Sequence, residues 1–311
     1  MAGQPAAAAV HLGLDLGATN IKSAVVERRG AHWQTLGTEQ TPTHGEEGPA
    51  GVIERLAEAG RVAMAEHRGI SSVGIGVPGL YYPERGATRF LVNLPGDWDM
   101  VPVAPYVGHA LGSVPTYLVN DARAFGLAEL RLGAGRGAKS MVGLTLGTGI
   151  GGVFAIDGHI VQGHDGTAGE MGHQTIDPDG PPCNCGNNGC LEVFTRAEAL
   201  AEACGAASAE EAIERARGGD AAALAGLASV GRYLGIGIAN MVTVITPDRV
   251  VIGGGIAAAG DLLLDPIRAE VGRRVHVTSL DQVTFAMAEL GTWAGAIGAA
   301  IHGAEMAEAA A

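Results

Sequence analysis

Short apolar runs and longer stretches with helical spacing alternate along the first 130 residues. The runs are rich in β-branched residues and are bounded by turn residues, a pattern typical of strands. Five strands are predicted here: Val10–Leu16, Ile21–Glu27, His32–Gly37, Ser71–Val77 and Pro115–Asn120. Helical spacing predicts helices over Glu47–His67 and Asp121–Leu132, and Pro78–Asp99 is expected to be a long loop.

The pattern restarts near residue 140. The segment Leu12–Thr19 (LGLDLGAT) resembles Val142–Gly149 (VGLTLGTG), and each joins an apolar strand to a Leu-Gly turn and a second β-rich segment, Ile21–Glu27 or Gly152–Ile156. One explanation is chance, because Leu and Gly are abundant in this chain. The other is a pair of domains of the same architecture, each opening with a β-hairpin whose glycine turn faces a shared cleft.

The two turns offer a way to bind phosphate. The first glycine turn is Gly17-Ala18-Thr19-Asn20 and the second is Gly147-Thr148-Gly149. Glycine lets backbone N–H groups approach a phosphate because no Cβ blocks the way. Two such turns that face each other would hold one polyphosphate from both sides.

A third glycine run follows a later strand. Arg249–Ile252 leads into Gly253-Gly254-Gly255, and a helix is predicted around Asp261–Val271. A strand followed by glycines and a helix N-terminus is a common geometry for approaching a nucleotide. The sequence contains no P-loop motif. A dinucleotide-binding motif would lead into a helix, whereas Gly147–Gly152 leads into a strand-like segment, so this motif is not predicted either.

Length and charge narrow the class of protein. The 311 residues suit two domains of about 150 residues each. The net charge of −13 argues against nucleic acid or an anionic membrane as a partner, since both select basic patches. Met1–Val10 lacks the basic start of a signal peptide, and polar residues interrupt the apolar stretch Ala221–Ile245, so it is interpreted as a buried helix. We therefore expect a globular, cytoplasmic protein.

Three of the four cysteines fall within eight positions. His173, Cys183, Cys185 and Cys190 have the order His-x9-Cys-x-Cys-x4-Cys among glycines, prolines and asparagines. Three thiolates and one imidazole are a usual ligand set for a closed structural zinc. The alternative is three buried thiols in a loop. The fourth cysteine, Cys204, is interpreted as a core residue.

Two glutamates flank this cluster. Glu170 precedes His173 by three residues, and Glu192 follows Cys190 by two. Either carboxylate could simply be solvated, as most glutamates are. A position beside a metal ligand favours a fixed, hydrogen-bonding role, and paired acceptors of this kind suit a polyhydroxylated ligand.

From about Val10 to His302 the sequence resembles the ROK family, the bacterial sugar kinases and related repressors that also include animal N-acetylmannosamine kinase. The cysteine block together with Gly169-Glu-Met-Gly-His173 is the most specific part of this resemblance. The motifs that carry it are Asp15–Lys22, Val77–Gly79, Asn93–Pro95, Asn120–Ala122, Leu146–Gly152, Gly169–His173, Cys183–Glu192 and Val251–Ile256.

The resemblance implies an α/β protein with the actin-like, hexokinase-type ATPase fold, in which two ribonuclease-H-like domains flank a cleft. It places a small N-terminal domain at 1–120, completed by a C-terminal helix at about 292–311, and a large domain at 121–291. It also implies a homodimer or a dimer of dimers.

Roles carry over residue by residue from the family motifs. The ATP and Mg²⁺ positions are Asp15, Gly17, Ala18, Thr19, Asn20, Lys22, Gly147, Thr148, Gly149, Gly253, Gly254 and Gly255, with Asp15 near the magnesium. The sugar-binding positions are Gly79, Asn93, Asn120, Asp121, Glu170, His173 and Glu192. The zinc ligands are His173, Cys183, Cys185 and Cys190, so His173 would serve both zinc and sugar.

Within this resemblance, Asp121 is the expected general base. A sugar hydroxyl is a poor nucleophile, and a carboxylate within hydrogen-bond reach can orient it and accept its proton. The alternative is that Asp121 merely caps the helix that runs to Leu132. Arg123 and Thr195-Arg196 depart from the family pattern near the sugar side and leave the acceptor open.

The expected activity is therefore phosphorylation of a hexose by ATP, with glucose as the simplest acceptor. Mannose, fructose, an amino or N-acetyl sugar and a cyclitol are alternative acceptors, and polyphosphate is an alternative donor. A sugar-responsive repressor is a further alternative. We do not expect a repressor. Repressors of the family carry a DNA-binding module ahead of the first phosphate motif, and here that motif begins at Asp15. The acidic net charge of the chain also argues against DNA as a partner.

Overall fold

The computed structural model describes residues 8–311, which fall into two compact units. The first unit extends to Leu132 and includes the C-terminal segment Thr292–Ala311, and the second unit is Gly133–Gly291. The first seven residues lie outside the described residues, and most of the segment on which the signal-peptide expectation depends lies there.

Strands and helices of both units are numbered in chain order. The first unit contains β1 (Ala9–Leu16), β2 (Asn20–Arg29), β3 (His32–Pro42), α1 (Gly48–Glu66), β4 (Ile70–Val77), β5 (Gly79–Tyr82), β6 (Ala87–Leu91), α2 (Val103–Ala110), β7 (Thr116–Asn120), α3 (Asp121–Arg131) and α9 (Ala294–Ala309). The second unit contains β8 (Met141–Leu146), β9 (Ile150–Ile156), β10 (His159–Ile160), α4 (Leu191–Thr195), α5 (Ala197–Cys204), α6 (Ala209–Arg217), α7 (Ala221–Ile245), β11 (Arg249–Gly253), α8 (Asp261–Arg274) and β12 (Thr284–Met287).

Each unit is built on a five-stranded sheet, and the two sheets have the same plan. The strand orders are β3-β2-β1-β4-β7 and β10-β9-β8-β11-β12. The central strand of each sheet, β1 or β8, pairs antiparallel with the strand after it and parallel with the next strand along the sheet. The duplication predicted from the two Leu-Gly turns is confirmed, and with it the α/β fold of two similar domains.

Helix α9 packs directly on the first sheet because both surfaces are made of small residues. A Cβ built on Gly13 of β1 would lie 1.8 Å from the carbonyl oxygen of Ala296, and one on Gly74 of β4 would lie 1.7 Å from that of Ala299. Any side chain at either glycine would therefore push the helix away. This packing brings the N-terminal turn of α9 to the end of β1, where Asp15 lies.

The first unit continues past residue 120, where the sequence placed the domain boundary. Helix α3 packs against α9 so closely that a Cβ on Gly298 would lie 1.7 Å from the carbonyl oxygen of Ala124. The compact unit therefore extends to Leu132. The C-terminal segment joins this unit, which keeps Asp121 in the same unit as Asp15.

The expectation of a continuous loop over Pro78–Asp99 is wrong. Strands β5 and β6 form a two-stranded antiparallel hairpin in this segment, with a register shift between Leu80 and Tyr81. The buried Thr88 hydroxyl donates to the carbonyl of Trp98, 2.7 Å away, and ties the hairpin to the chain that follows. The hairpin matters for the site because β5 begins at Gly79.

Helix α7 covers the long apolar stretch and belongs to the core of the second unit. By length and composition alone it could cross a membrane, and half of its most apolar window is buried inside the protein. Glycines bring it close to α8, since a Cβ on Gly235 would lie 2.5 Å from Cβ of Glu270. The structure thus agrees with the interpretation of Ala221–Ile245 as a buried helix.

Candidate active site

The first glycine turn, residues 17–20, joins β1 to β2 and is held by a threonine from the end of β3. The Gly17 N–H donates to the carbonyl of Asn20 at 3.0 Å. Thr43 is fully buried; its hydroxyl donates to the Gly17 carbonyl at 2.7 Å, and its N–H donates to the Thr19 carbonyl at 2.9 Å. Both halves of the turn are thereby fixed, while its tip stays exposed to solvent.

The carboxylate of Asp15 lies in a narrow space made by two glycines. A Cβ on Gly76 would lie 3.1 Å from Oδ1 of Asp15, and one on Gly295 of α9 would lie 2.5 Å from Oδ2. Burial and the nearby Asp121 carboxylate raise the pKa of Asp15 to about 7, and Lys22, its partner across β1 and β2, acts in the opposite direction. Two acidic groups this close suit a divalent cation that neutralises them.

Asn120 caps helix α3. Its Oδ1 accepts from the N–H groups of Ala122 and Arg123, at 3.1 and 3.2 Å. Its Nδ2 donates to the carbonyl of Gly79 at 3.2 Å and to Oδ1 of Asp121 at 3.0 Å. The cap position is therefore occupied by Asn120, which also orients the Asp121 carboxylate, while Oδ1 of Asp121 accepts a further bond from the Ala122 N–H at 2.8 Å.

Asn93 lies near Gly79 through the β5–β6 hairpin. Gly79 pairs with Leu91, the last residue of β6, and the Val92 N–H donates to the Pro78 carbonyl at 2.9 Å. Asn93 follows directly in the left-handed conformation, with φ of 61°, and is exposed. The hairpin thus brings three predicted sugar-binding residues of the first unit, Gly79, Asn93 and Asn120, to one end of its sheet.

The second glycine turn, residues 147–149, joins β8 to β9 and is held by a different kind of partner. The Gly147 carbonyl accepts from the N–H of Ala197, the first residue of α5, at 2.8 Å. The N–H of Ile150, directly after the turn, donates to Oε2 of Glu192 at 2.8 Å. A carboxylate and a helix N-terminus therefore fix the two ends of this turn.

The third glycine run lies against the start of the second turn. A Cβ on Gly254 would lie 2.3 Å from the carbonyl oxygen of Leu146, the last residue of β8. Gly254 has φ of 86°, a left-handed conformation that favours glycine. The predicted adenosine positions, Gly253 to Gly255, are therefore adjacent to the predicted phosphate positions of the second unit.

The four predicted zinc ligands form one cluster in which all ligand atoms lie within 4.8 Å of one another. Sγ of Cys183 is 3.6 Å from Nδ1 of His173, and Sγ of Cys185 is 3.6 Å from Sγ of Cys190. A tetrahedral zinc with Zn–S bonds of about 2.3 Å and a Zn–N bond of about 2.0 Å separates two sulfurs by about 3.8 Å, and a sulfur from a nitrogen by about 3.6 Å. The ligand set and its spacing therefore fit zinc.

The thiols of the cluster differ in their tendency to ionise. Burial and the neighbouring cysteine sulfurs raise the pKa of Cys190 to about 12, while a hydrogen bond from the Asn187 backbone lowers the pKa of the exposed Cys185. A metal bound at the cluster would displace the proton of Cys190, because a cysteine binds a metal as the thiolate.

The two glutamates beside the cluster have different surroundings. Glu170 is exposed and precedes the short 3-10 helix that ends at His173, and the chain before it is pressed on β9, where a Cβ on Gly152 would lie 2.3 Å from the Gly169 carbonyl oxygen. Glu192 is half-buried and bonded to the second turn. Glu192 therefore has the fixed, hydrogen-bonding role that its position beside a metal ligand predicts.

Sequence reasoning missed three residues that shape the site: Thr43, Ala197 and Gly295. Ala197 acts through its backbone N–H, which any residue except proline supplies, so its identity gives no signal. Gly295 lies in a run of small residues in a chain with 50 glycines, and Thr43 belongs to no motif. Of the three, only Gly295 could have been suspected from the sequence, because it lies at the start of the C-terminal helix that was expected to complete the first domain.

Comparison with known proteins places these features in one family. The model of the ROK family matches residues 11–304. The glucokinase of Thermotoga maritima is 37% identical over 279 residues, which cover 84% of this chain and 86% of that protein. The crystal structure of the ROK hexokinase from Thermus thermophilus is 34% identical, with a TM-score of 0.81, and the match covers 96% of this chain and 99% of that one.

A further solved structure was obtained with ligands. The ROK family glucokinase from Streptomyces griseus, in complex with glucose and AMPPNP, is 29% identical with a TM-score of 0.80, and the match covers 95% of this chain and 99% of that one. The family model spans nearly the whole chain, and the three proteins named above are matched over most of their own length. This chain is a member of the ROK family.

Proposed function

We propose that this protein is a cytoplasmic sugar kinase that transfers the γ-phosphoryl group of ATP to a hexose hydroxyl, with glucose as the acceptor and glucose 6-phosphate as the product. Family membership supports a kinase. The name of the Thermotoga maritima relative supports glucose, and the glucose and AMPPNP bound to the Streptomyces griseus enzyme support both substrates.

The arrangement of Asn120 and Asp121 is the observation that carries the proposal. Asn120 caps α3 and donates to Oδ1 of Asp121, so the carboxylate is held in the first turn of a helix with a fixed orientation. A charged, oriented carboxylate can accept the proton of a sugar hydroxyl as the phosphoryl group arrives. General base assistance of this kind contributes roughly 10²–10⁴ in rate.

The remaining residues bind and orient the substrates. Backbone N–H groups of the two glycine turns donate to the phosphates of ATP, and Gly253–Gly255 contact the adenosine. Asn93, Glu170, His173 and Glu192 bond to sugar hydroxyls, and Asn120, whose amide bonds to α3, Gly79 and Asp121, lies beside the sugar and orients the base. Alignment of the hydroxyl with the γ-phosphorus supplies the rest of the rate enhancement, because phosphoryl transfer depends mainly on positioning and charge stabilisation.

Two metal ions complete the proposal. Asp15 holds Mg²⁺, directly or through water, and the ion supplies neutralisation of phosphate charge. His173, Cys183, Cys185 and Cys190 hold a structural Zn²⁺ that makes the loop around Glu170 and Glu192 rigid. For the assembly we propose a homodimer or a dimer of dimers, which light scattering of the purified chain measures.

An ADP-release screen tests the activity. Hexoses, amino and N-acetyl hexoses and cyclitols are each supplied with ATP and Mg²⁺, and polyphosphate replaces ATP in a parallel series. We expect glucose with ATP to give the highest kcat/KM. A higher value for another sugar would overturn glucose as the acceptor, and turnover on none of them would overturn the kinase.

A further inference from the structure

Glu192 is bonded to the backbone of the second glycine turn, in addition to its expected contact with sugar. Its Oε2 accepts from the N–H of Ile150 at 2.8 Å, while Oε1 makes no hydrogen bond within the described part of the chain. A Cβ on Gly149 would lie 2.7 Å from the same Oε2, so the missing side chain at Gly149 leaves room for the carboxylate. A residue that only binds sugar requires neither feature.

The position of Glu192 is fixed from the side of the metal cluster. It is the second residue of α4, which begins directly after the zinc ligand Cys190. Leu191, between them, is fully buried, and its N–H donates to the carbonyl of Gln174 at 2.9 Å, next to His173. A displacement of the metal-binding loop would therefore move the carboxylate of Glu192.

Residues 192–197, here called the support segment, contact the turn at two points. Ile150, after the turn, bonds to Glu192 at the start of the segment, and Gly147, at the start of the turn, bonds to Ala197 at its end. The segment is itself a stiff helical turn, since the Arg196 N–H donates to the Glu192 carbonyl at 3.0 Å. Both ends of the turn thus depend on one short piece of chain.

We propose that Glu192 is a positioning residue for the second phosphate turn, so that one carboxylate serves both substrates: Oε2 orders the turn that receives ATP, and Oε1 remains for a sugar hydroxyl. This inference rests on the proposed kinase function, which assigns phosphate to the turn and sugar to the glutamate. The metal-binding loop then acts on nucleotide binding as well as on sugar binding, through a single side chain.

Two substitutions of Glu192 separate its two tasks. Glu192→Gln keeps a carbonyl oxygen that can accept from Ile150, whereas Glu192→Ala removes the acceptor. The readout is the Kd of a fluorescent ADP analogue measured without sugar and without turnover. We expect Glu192→Ala to raise this Kd roughly ten- to a hundredfold and Glu192→Gln to raise it less than about threefold, because hydrogen bonds to charged groups have contributions of this size. Both variants weaken sugar binding.

Amide exchange at Ile150, measured without sugar, gives a readout that would not change if Glu192 served sugar binding alone. Exchange should be faster in Glu192→Ala and close to that of the unsubstituted chain in Glu192→Gln. The matched control is Glu198→Ala. Glu198 lies on α5, and its exposed carboxylate is paired with Arg196, so its removal should leave the Kd of the ADP analogue unchanged.

A third variant keeps the test open if Glu192→Ala does not fold. Gly149→Ala places a methyl group against Oε2 of Glu192, so it should raise the Kd of the ADP analogue, and its effect should shrink in the Glu192→Asp background, where the shorter side chain withdraws the carboxylate from that methyl group. Equal nucleotide affinity in Glu192→Ala and the unsubstituted chain, with weakened sugar binding, would overturn the inference and leave the kinase intact. An unsubstituted chain that binds no ADP analogue would overturn both.

Discussion

The two glycine turns occupy equivalent places in two sheets of the same strand order, yet they are supported by different chemistry. The first, residues 17–20, is held by the buried hydroxyl of Thr43, which follows a strand of the same sheet. The second, residues 147–149, is held by the carboxylate of Glu192 and the N–H of Ala197, which lie outside the sheet. The two hairpins therefore correspond in position, but the groups that hold their turns are different.

The difference shows which turn can respond to the rest of the site. A neutral hydroxyl at the end of β3 moves only when its own sheet moves, so the first turn is a fixed feature of the first unit. The second turn is bonded to a segment that begins two residues after a zinc ligand. Its geometry therefore depends on the loop that carries the predicted sugar and zinc ligands.

The largest predicted effect concerns a residue that one unit has and the other lacks. Asp121 follows β7, the edge strand of the first sheet, and the chain after the corresponding strand β12 carries Glu289, paired with Arg136 at 3.2 Å. Asp121→Asn should lower kcat about 10²–10⁴-fold while the Kd for glucose changes little, because the amide keeps the shape but not the base. Glu289→Gln should leave kcat unchanged. Substantial residual turnover in Asp121→Asn would remove Asp121 from this role.

Loss of a zinc ligand should change the structure of the second unit and leave that of the first unit unchanged. Cys185→Ala should lower the zinc content from about one per chain and weaken the binding of both sugar and ADP, measured by metal analysis and titration. All three tryptophans, Trp33, Trp98 and Trp293, belong to the first unit, so their fluorescence should change little. Cys204→Ala, outside the cluster, is the control. Full zinc content in Cys185→Ala would contradict the ligand set.

Two buried groups of the first unit respond to acid in opposite directions: a buried histidine, His302, loses stability as the pH falls, whereas Asp15, whose pKa is raised to about 7, gains it. Burial lowers the pKa of His302 to about 4. In the unfolded chain this histidine, with a pKa of about 6.5, binds the proton first, so its contribution to stability is complete above about pH 6.5 and is lost as the pH falls towards 4, by up to about 3 kcal/mol.

The measurement is the free energy of unfolding against pH, followed by tryptophan fluorescence. His302→Gln cannot take up the proton, so its unfolding free energy should rise relative to that of the unsubstituted chain as the pH falls from 6.5 towards 4, while His276→Gln, which replaces an exposed histidine of the second unit, should leave the dependence unchanged. A slope in His302→Gln equal to that of the unsubstituted chain would contradict the assignment.

Alanine at corresponding turn positions should have different effects on stability. A Cβ on Gly17 would lie 2.8 Å from the carbonyl oxygen of Asn20, whereas one on Gly147 meets no atom within 4 Å. Gly17→Ala should therefore cost about 1–3 kcal/mol of unfolding free energy, and Gly147→Ala less than about 0.5 kcal/mol, measured by urea unfolding. Equal losses would show that the two turns are not held differently.

The paired hairpins could be predicted from the sequence because alternation and the Leu-Gly turns are local signals. Strands β1 and β4 begin within a residue of the predicted positions. The β5–β6 hairpin could not be found, since its strands are short and the prolines and glycines around them are typical of a loop.

The sequence motifs identify the site residues, but they do not show which role each residue has. Asn120 and Asp121 are both good helix caps, so only the coordinates separate the cap from the carboxylate that it orients. Thr43 holds its turn through its hydroxyl and N–H, and Ala197 through its N–H, each from a separate part of the chain, and such contacts leave no pattern in the sequence.

A crystal structure of the chain with glucose, AMPPNP and Mg²⁺ tests the central claim most directly. We predict an Asp121 carboxylate oxygen about 2.6–3.2 Å from the 6-hydroxyl of glucose, and phosphate oxygens bonded to N–H groups of both glycine turns. An Asp121 beyond hydrogen-bond distance of every sugar hydroxyl, or phosphates bound by one turn only, would contradict the account.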